Sequence, residues 1–240
     1  MAKKLRLGTS WLTAGDVRTL RDRAQNSRKQ LGSLIDAATA KVELRRATLN
    51  DHLKDLPAPA RDAAMNRSLA AFRGDLKQQT ADARTTLVRS AAELRATALA
   101  AKPHYRSPAQ MLARYTIGSE KRSRIMQQIE LSGPAELLSL AELAAATGDK
   151  DLGAALASRV FSMAPDKRPF DVNELADSLV GDEWREISKA LDEVEAMAIG
   201  MVRLDREFET GRTDGTNMIE QALRQQQAEA LYAEEDDDEA

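Results

Sequence analysis

The chain has two histidines, His52 and His104, and no cysteine, so the usual sources of a base, a metal ligand or a thiolate are few. A helical zinc site needs two histidines four residues apart with a carboxylate beside them, as in H-E-x-x-H. Neither histidine has such a companion: His52 falls near the apolar seam of the first predicted helix, and His104 follows Pro103 in a linker. Both read as packing or solvent-facing residues. Without cysteine a structural zinc site has no thiolate ligands, and no disulfide can form. No G-x-S-x-G elbow positions a serine nucleophile. Neither G-x-x-x-x-G-K-[ST] nor G-x-G-x-x-G is present to cradle a phosphate. Gly211-Arg212-Thr213-Asp214-Gly215 lacks both the P-loop lysine and the acidic spacing of a calcium loop, and reads as an interhelical turn. Asp182-Glu183 and Asp192-Glu193-Glu195 would need a pocket that shifts their pKa values before they did acid–base work. On the outer face of an amphipathic helix they are solvated charges. The expectation is a protein that is not an enzyme, with no catalytic or metal-binding residue and no cofactor.

The remaining chemistry is cationic. Arg21, Arg28, Lys29, Arg45 and Arg46 lie along one long predicted helix and could neutralise phosphates in a salt-dependent way. They alternate with Asp22, Asp36 and Glu43, however, and the only aromatic residue of the hairpin able to stack on a base is Phe72. No recognition helix with its characteristic turn is evident. Net charge divides unevenly: residues 1–107 carry 21 Lys/Arg and 10 Asp/Glu, and residues 108–240 carry 14 and 28, giving +11 and −14 within a total of −3. Such a division concerns partners more than fold. It suits nucleic-acid contact by one half, or head-to-tail contact between neighbouring copies.

The elements that must position these groups are all helical. Hydrophobic residues make up 42% of the chain but aromatics only 4%, so narrow Ala/Leu seams fit better than a large aromatic core. No alternating run bounded by turn residues suggests a strand. After a basic N-terminal segment, 1–15, Asp16 is placed to cap a helix running to about Leu56. Its seam is Val17, Leu20, Ala24, Leu31, Leu34, Ala38, Val42, Leu49, Leu53 and Leu56, coiled-coil-like with a phase slip near Ala38. Pro57-Ala58-Pro59 ends it. A second helix over 60–101 has the seam Met65, Leu69, Phe72, Leu76, Ala83, Leu87, Ala91, Leu94, Ala98 and Ala101. Two helices of matched length with so short a connection form an antiparallel hairpin, 16–102. Its seam residues Val17, Leu20, Leu31, Leu34, Val42, Leu49, Leu69, Phe72, Leu76, Leu87 and Leu94 bury little area per turn, so a second chain is expected to cover them.

An acidic helical domain, 107–232, follows. Ser107-Pro108-Ala109-Gln110 opens a helix over 108–131 with a weak point at Gly118. Gly133-Pro134 opens another over 134–147, and Gly148-Asp149 turns into a third over 150–163. That pair resembles one helix–turn–helix unit of a tetratricopeptide-like repeat, but no second copy exists, so it reads as a single αα-hairpin. Asp171-Val172-Asn173-Glu174 caps a short helix to about Val180. A longer one starts at Asp182 and carries Trp184, Ile187, Leu191, Val194, Met201 and Phe208. A last helix is expected over 216–232, and the acidic tail 233–240 is expected to be disordered.

No stretch approaches the roughly 18 apolar residues of a membrane span, and Met1 to Leu7 lacks the apolar region of a signal peptide. A cytoplasmic protein, or one incorporated into a virion, is expected, with protein partners and no membrane. The overall plan of long helices, no cysteine and a charged tail resembles the helical accessory and assembly proteins of tailed-phage particles. The resemblance implies a non-enzymatic structural or assembly protein that acts through helical contacts and self-associates or joins a larger assembly. Two other readings are a nucleic-acid-associated protein that uses the basic hairpin, and a regulatory adaptor whose C-terminal helices hold a partner peptide.

Overall fold

The structure, a computed structural model, describes residues 12–211. Most of the basic segment 1–15, the helix expected over 216–232 and the tail 233–240 lie outside the described residues. Within them every regular element is helical: α1 (Ala14–His52), α2 (Ala58–Ala101), α3 (Pro108–Arg114), α4 (Glu120–Gln128), α5 (Pro134–Thr147), α6 (Lys150–Phe161) and α7 (Val172–Thr210), with short 3-10 turns at Lys102–Tyr105 and Pro165–Lys167. The protein is all-α, and α1 and α2, joined through residues 53–57, form the antiparallel hairpin.

The chain groups into two compact units. One comprises residues 12–27 and 90–198, the other 28–89 and 199–211. This grouping differs from the sequence segments 16–102 and 107–232, because α1, α2 and α7 each contribute to both units.

In the first unit, α1 starts with a reciprocal cap. Asp16 accepts hydrogen bonds from the Thr13 N–H at 2.9 Å and the Thr13 hydroxyl at 2.7 Å, and Thr13 Oγ1 accepts from the Asp16 N–H at 3.2 Å. Thr13 is therefore the cap and Asp16 its partner one turn inside, the reverse of the role expected for Asp16. The core joins Val17, Leu20 and Ala24 of α1 to Leu94, Ala98 and Ala101 of α2 and to Ile187, Leu191 and Val194 of α7. A third helix of the same chain thus covers this part of the hairpin.

The helix expected over 108–131 is two helices. Ser107 Oγ caps α3 by accepting from the Gln110 N–H at 3.3 Å. The chain then leaves helical conformation at Thr116 (φ 50°) and Gly118 (φ 89°), and Ser119 caps α4 through the Arg122 N–H at 3.2 Å. Arg122 holds the break shut by donating to Tyr115 O at 2.5 Å, Ala113 O at 2.6 Å and Ser158 Oγ at 2.6 Å. The α5–α6 hairpin is as expected. Gly148 takes the left-handed conformation after α5 (φ 67°), where a side chain is strained. Asp149 Oδ1 then caps α6, accepting from the Asp151 and Leu152 N–H groups at 3.0 Å each.

The break expected between Val180 and Asp182 is absent, and α7 is one helix across Gly181. A glycine inside a helix costs about 1 kcal/mol relative to alanine. Burial of Val172, Leu175, Leu179, Ile187 and Leu191 on either side outweighs it.

In the second unit, Val42 of α1 packs with Leu69 and Leu76 of α2, flanked by Leu49, Met65 and Phe72. Leu31, Ile35 and Ala38 are buried while Leu34 is half-buried. Taking Ile35 rather than Leu34 as the seam residue gives spacings of four, three and four from Leu31 to Val42, so the expected phase slip does not occur. Ala83 is exposed and Arg84 occupies the seam instead.

Candidate functional site

A cleft of about 540 Å³ lies in the first unit, and the start of α1, the turn after α2, α3, the α3–α4 break and α7 all line it. Met111, Tyr115, Ile117 and Ile187 give it apolar walls. Tyr105 is fixed at both ends, its hydroxyl donating to Leu12 O and its carbonyl accepting from Trp184 Nε1 at 2.8 Å. Burial, with Glu183 and Asp16 nearby, raises the Tyr105 pKa, so the phenol is a proton donor and not a base. The charged lining groups already have partners. Arg114 Nη1 lies 2.8 Å from His104 Nδ1, which must accept because arginine only donates. Glu183 pairs with Lys150 at 2.9 Å, and the same ammonium lies 5.7 Å from the Tyr115 ring centroid.

Thr116, at the rim, is held in its left-handed conformation by its hydroxyl, which donates to Asp151 Oδ1 at 2.7 Å. Lys121 reaches the same carboxylate at 2.8 Å. The Lys121 and Thr116 hydrogen bonds, in that order, hold the Asp151 pKa below its usual value. The cleft can enclose an apolar group, but its polar atoms serve the fold.

The second unit holds a buried cation. Arg84 donates to Asp205 Oδ1 at 2.5 Å and to Glu209 Oε1, both on α7, and to Thr80 Oγ1 at 3.1 Å and Lys77 O at 3.2 Å. Its guanidinium lies 4.9 Å from the Phe208 ring centroid. Lys77 Nζ also donates to Glu209 O at 2.6 Å, near the negative end of the α7 dipole. This network fixes α7 to α2 within the unit. Sequence reading missed it because hydrophobic periodicity discards charged residues, although Arg84 sits on the stripe running from Leu76 through Thr80 to Leu87.

The seam residues read from sequence fall in both units. Val17, Leu20 and Leu94 lie in the first unit's core. Val42, Leu69 and Leu76 lie in the second unit's cluster, with Leu49 and Phe72 partly buried against it. Leu31 is buried, and Leu34 and Leu87 are half-buried. Of the cationic residues, Arg28, Lys29 and Arg45 are exposed and have no ion-pair partner among the described residues. Arg46 is exposed and lies 3.3 Å from Glu43, and Arg21 is half-buried and lies 4.0 Å from Glu193.

The surface that sequence reading did not single out is the outer face of α5. Leu137, Ala141 and Ala144 point into the core, while Leu138 and Leu143 are 40% and 51% exposed. Ala135, Ser139 and Ala146 are exposed between those two leucines, and Leu131, just before the helix, is 95% exposed. α6 packs against the inner face of α5, and the outer face, where Ser139 and Glu142 stand among the apolar residues, stays exposed.

Among the described residues no group of three or more His, Asp or Glu side chains could hold a metal ion, and no helix is long and apolar enough to cross a membrane. Compared with known proteins, the chain matches no family model, no curated protein and no solved structure.

Proposed function

We propose that this chain is a non-enzymatic structural or assembly protein that acts through helical protein–protein contacts. One observation carries the reading: the outer face of α5 leaves Leu131, Leu138 and Leu143 in solvent beside a well-packed core. Large apolar side chains left in solvent along one helix and the turn before it, with Ala135 and Ala146 exposed between them, support a protein contact there. The seam residues are consumed inside the chain, so the contact surface is the face that the chain leaves uncovered. The resemblance to tailed-phage accessory proteins extends the reading to a component of a virion.

The test is the absolute mass of the purified full-length protein by light scattering, over a range of concentrations at low and high salt. A mass well above the 26.3 kDa of one chain is expected at high concentration. A single-chain mass under every condition would overturn self-association. A second reading has its own observation, since Arg28, Lys29 and Arg45 are exposed without ion-pair partners. If they bind phosphates, the protein is retained on DNA or RNA at low salt and released steeply as salt rises.

A further inference from the structure

The outer face of α5 has a definite charge as well as an apolar shape. From Ile129 to Thr147 the chain has no lysine or arginine and carries Glu130, Glu136 and Glu142. All three are exposed, and none has an ion-pair partner among the described residues. At 100° per residue, Leu138 and Leu143 stand on two edges of the face, with Ala135, Ser139, Glu142 and Ala146 between them. The result is a face of small residues edged by two leucines, with Glu142 among them, Glu136 just beyond the Leu143 edge and Glu130 in the turn before the helix.

Two such faces do not suit each other. An α5–α5 pairing would bring like charges together on a face with no cation to separate them. The complementary chemistry is a short apolar segment rich in lysine and arginine. The chain has one at its start, where Met1-Ala2-Lys3-Lys4-Leu5-Arg6-Leu7 has three cations, two leucines and no carboxylate. We propose that the basic segment 1–7 of one copy docks on the outer face of α5 of a second copy. The inference rests on the assembly reading above and names the occupant of its surface.

Because the two surfaces are unlike, the contact is head-to-tail, and each copy offers both a donor segment and an acceptor face. Such a contact propagates unless a ring closes. The face is one helix of 14 residues, about 21 Å long and about 10 Å wide, so the contact covers roughly 400 Å² counted on both partners, well short of a standard interface of roughly 1,200 Å². A single contact is therefore weak, salt-sensitive and dependent on repetition.

Charge reversal in the full-length protein tests this. One variant carries Lys3→Glu, Lys4→Glu and Arg6→Glu, a second carries Glu136→Lys and Glu142→Lys, and a third combines all five changes. Sedimentation velocity at low salt reads self-association against concentration. Each partial variant should weaken association at least tenfold, and the combined variant should restore it to within about threefold of the parent. Leu143→Asp should weaken it similarly without lowering the melting temperature, since the side chain is exposed. If the parent assembles and the variants assemble equally well, the docking proposal fails and the assembly reading stands. If the partial variants weaken association but the combined one does not recover it, the pairing is wrong. A parent of single-chain mass throughout overturns both.

Discussion

Arg84 on α2 donates to Asp205 on α7 at 2.5 Å from a position where the arginine is only 3% exposed. Four acceptors and an aromatic face surround its guanidinium, so its desolvation is offset by several charge-assisted bonds. Asp205 and Glu209 keep 24% and 47% of their side-chain surface in solvent, which screens their share. Arg84→Ala should therefore cost the most, about 2 kcal/mol, because it removes every bond and opens a void. Asp205→Asn should cost about 1 kcal/mol, and Glu209→Gln less. Urea melts of the three variants check this order. A loss larger for Glu209→Gln than for Arg84→Ala would contradict the network as described.

Ion pairs in the first unit predict how stability depends on pH. Glu195 is held below its usual pKa by its hydrogen bond to Lys102, 2.6 Å away, and then by Arg95. Glu186 is lowered in the same way by Arg18 at 2.7 Å. Lowered carboxylates contribute stability that is fully present above their unfolded-state value, near 4.5, and is lost as pH falls through the folded value. Lys102 is raised, chiefly by Asp192 and then Glu195, so its contribution is present at neutral pH and is lost above its ordinary 10.5. The melting temperature of the parent should exceed that of Glu195→Gln at pH 7 by a degree or two at most, roughly, because these pairs are partly solvated. The gap should narrow as pH falls below about 4.5 and through the lowered folded value. A gap that did not change with pH would mean that Glu195 acts through packing and not charge.

What could be read from the sequence divides along a physical line. Local signals were legible: Ser107 before Pro108, Gly133-Pro134, Gly148-Asp149 and Pro57 all mark helix ends where backbone chemistry alone decides. Tertiary choices were not. Leu34 and Ile35 are both good seam residues, and only packing against other helices selects Ile35. Gly181 next to Asp182 looks like a stop, yet apolar residues on both sides carry α7 through it. Arg84 is invisible to any pattern that equates burial with apolarity. On α5, Leu137, Leu138, Leu140 and Leu143 spread over more than half of the helix circumference, so periodicity cannot tell the core side from the uncovered side until α6 is in place.

Gly153 on α6 marks a close approach to neighbouring helices in the first unit. A Cβ added there would run into the Leu179 side chain of α7, with Leu112 of α3 at 3.6 Å. Gly153→Ala should destabilise by about 1–3 kcal/mol as the leucine is forced aside. Gly32 and Gly74, inside α1 and α2, would meet nothing within 4 Å. Gly32→Ala and Gly74→Ala should each stabilise by about 0.4–1 kcal/mol, by restricting the unfolded chain and favouring helix. Thermal melts of the three variants, compared at one concentration, report the sign directly. Stabilisation by Gly153→Ala would mean that α6 and α7 are not so close.

Thr116 combines a β-branched side chain with φ 50°, a region such residues rarely adopt. Its hydroxyl bond to Asp151, at 2.7 Å, holds it there, and Lys121 fixes the same carboxylate. Thr116→Val keeps the branch and its strain but removes the bond, so a loss of about 1–2 kcal/mol is expected. Thr116→Asn relieves the strain, because asparagine tolerates the left-handed region, and its amide can still donate to Asp151. Its stability should stay within about 0.5 kcal/mol of the parent. The comparison is read from urea unfolding with tryptophan fluorescence, since Trp184 donates to Tyr105 on the other side of the same cleft. No loss in Thr116→Val would show that the α3–α4 break is held by Arg122 and Gly118 alone, with the hydroxyl of Thr116 a bystander. Equal losses in the two variants would show that the asparagine amide does not replace it.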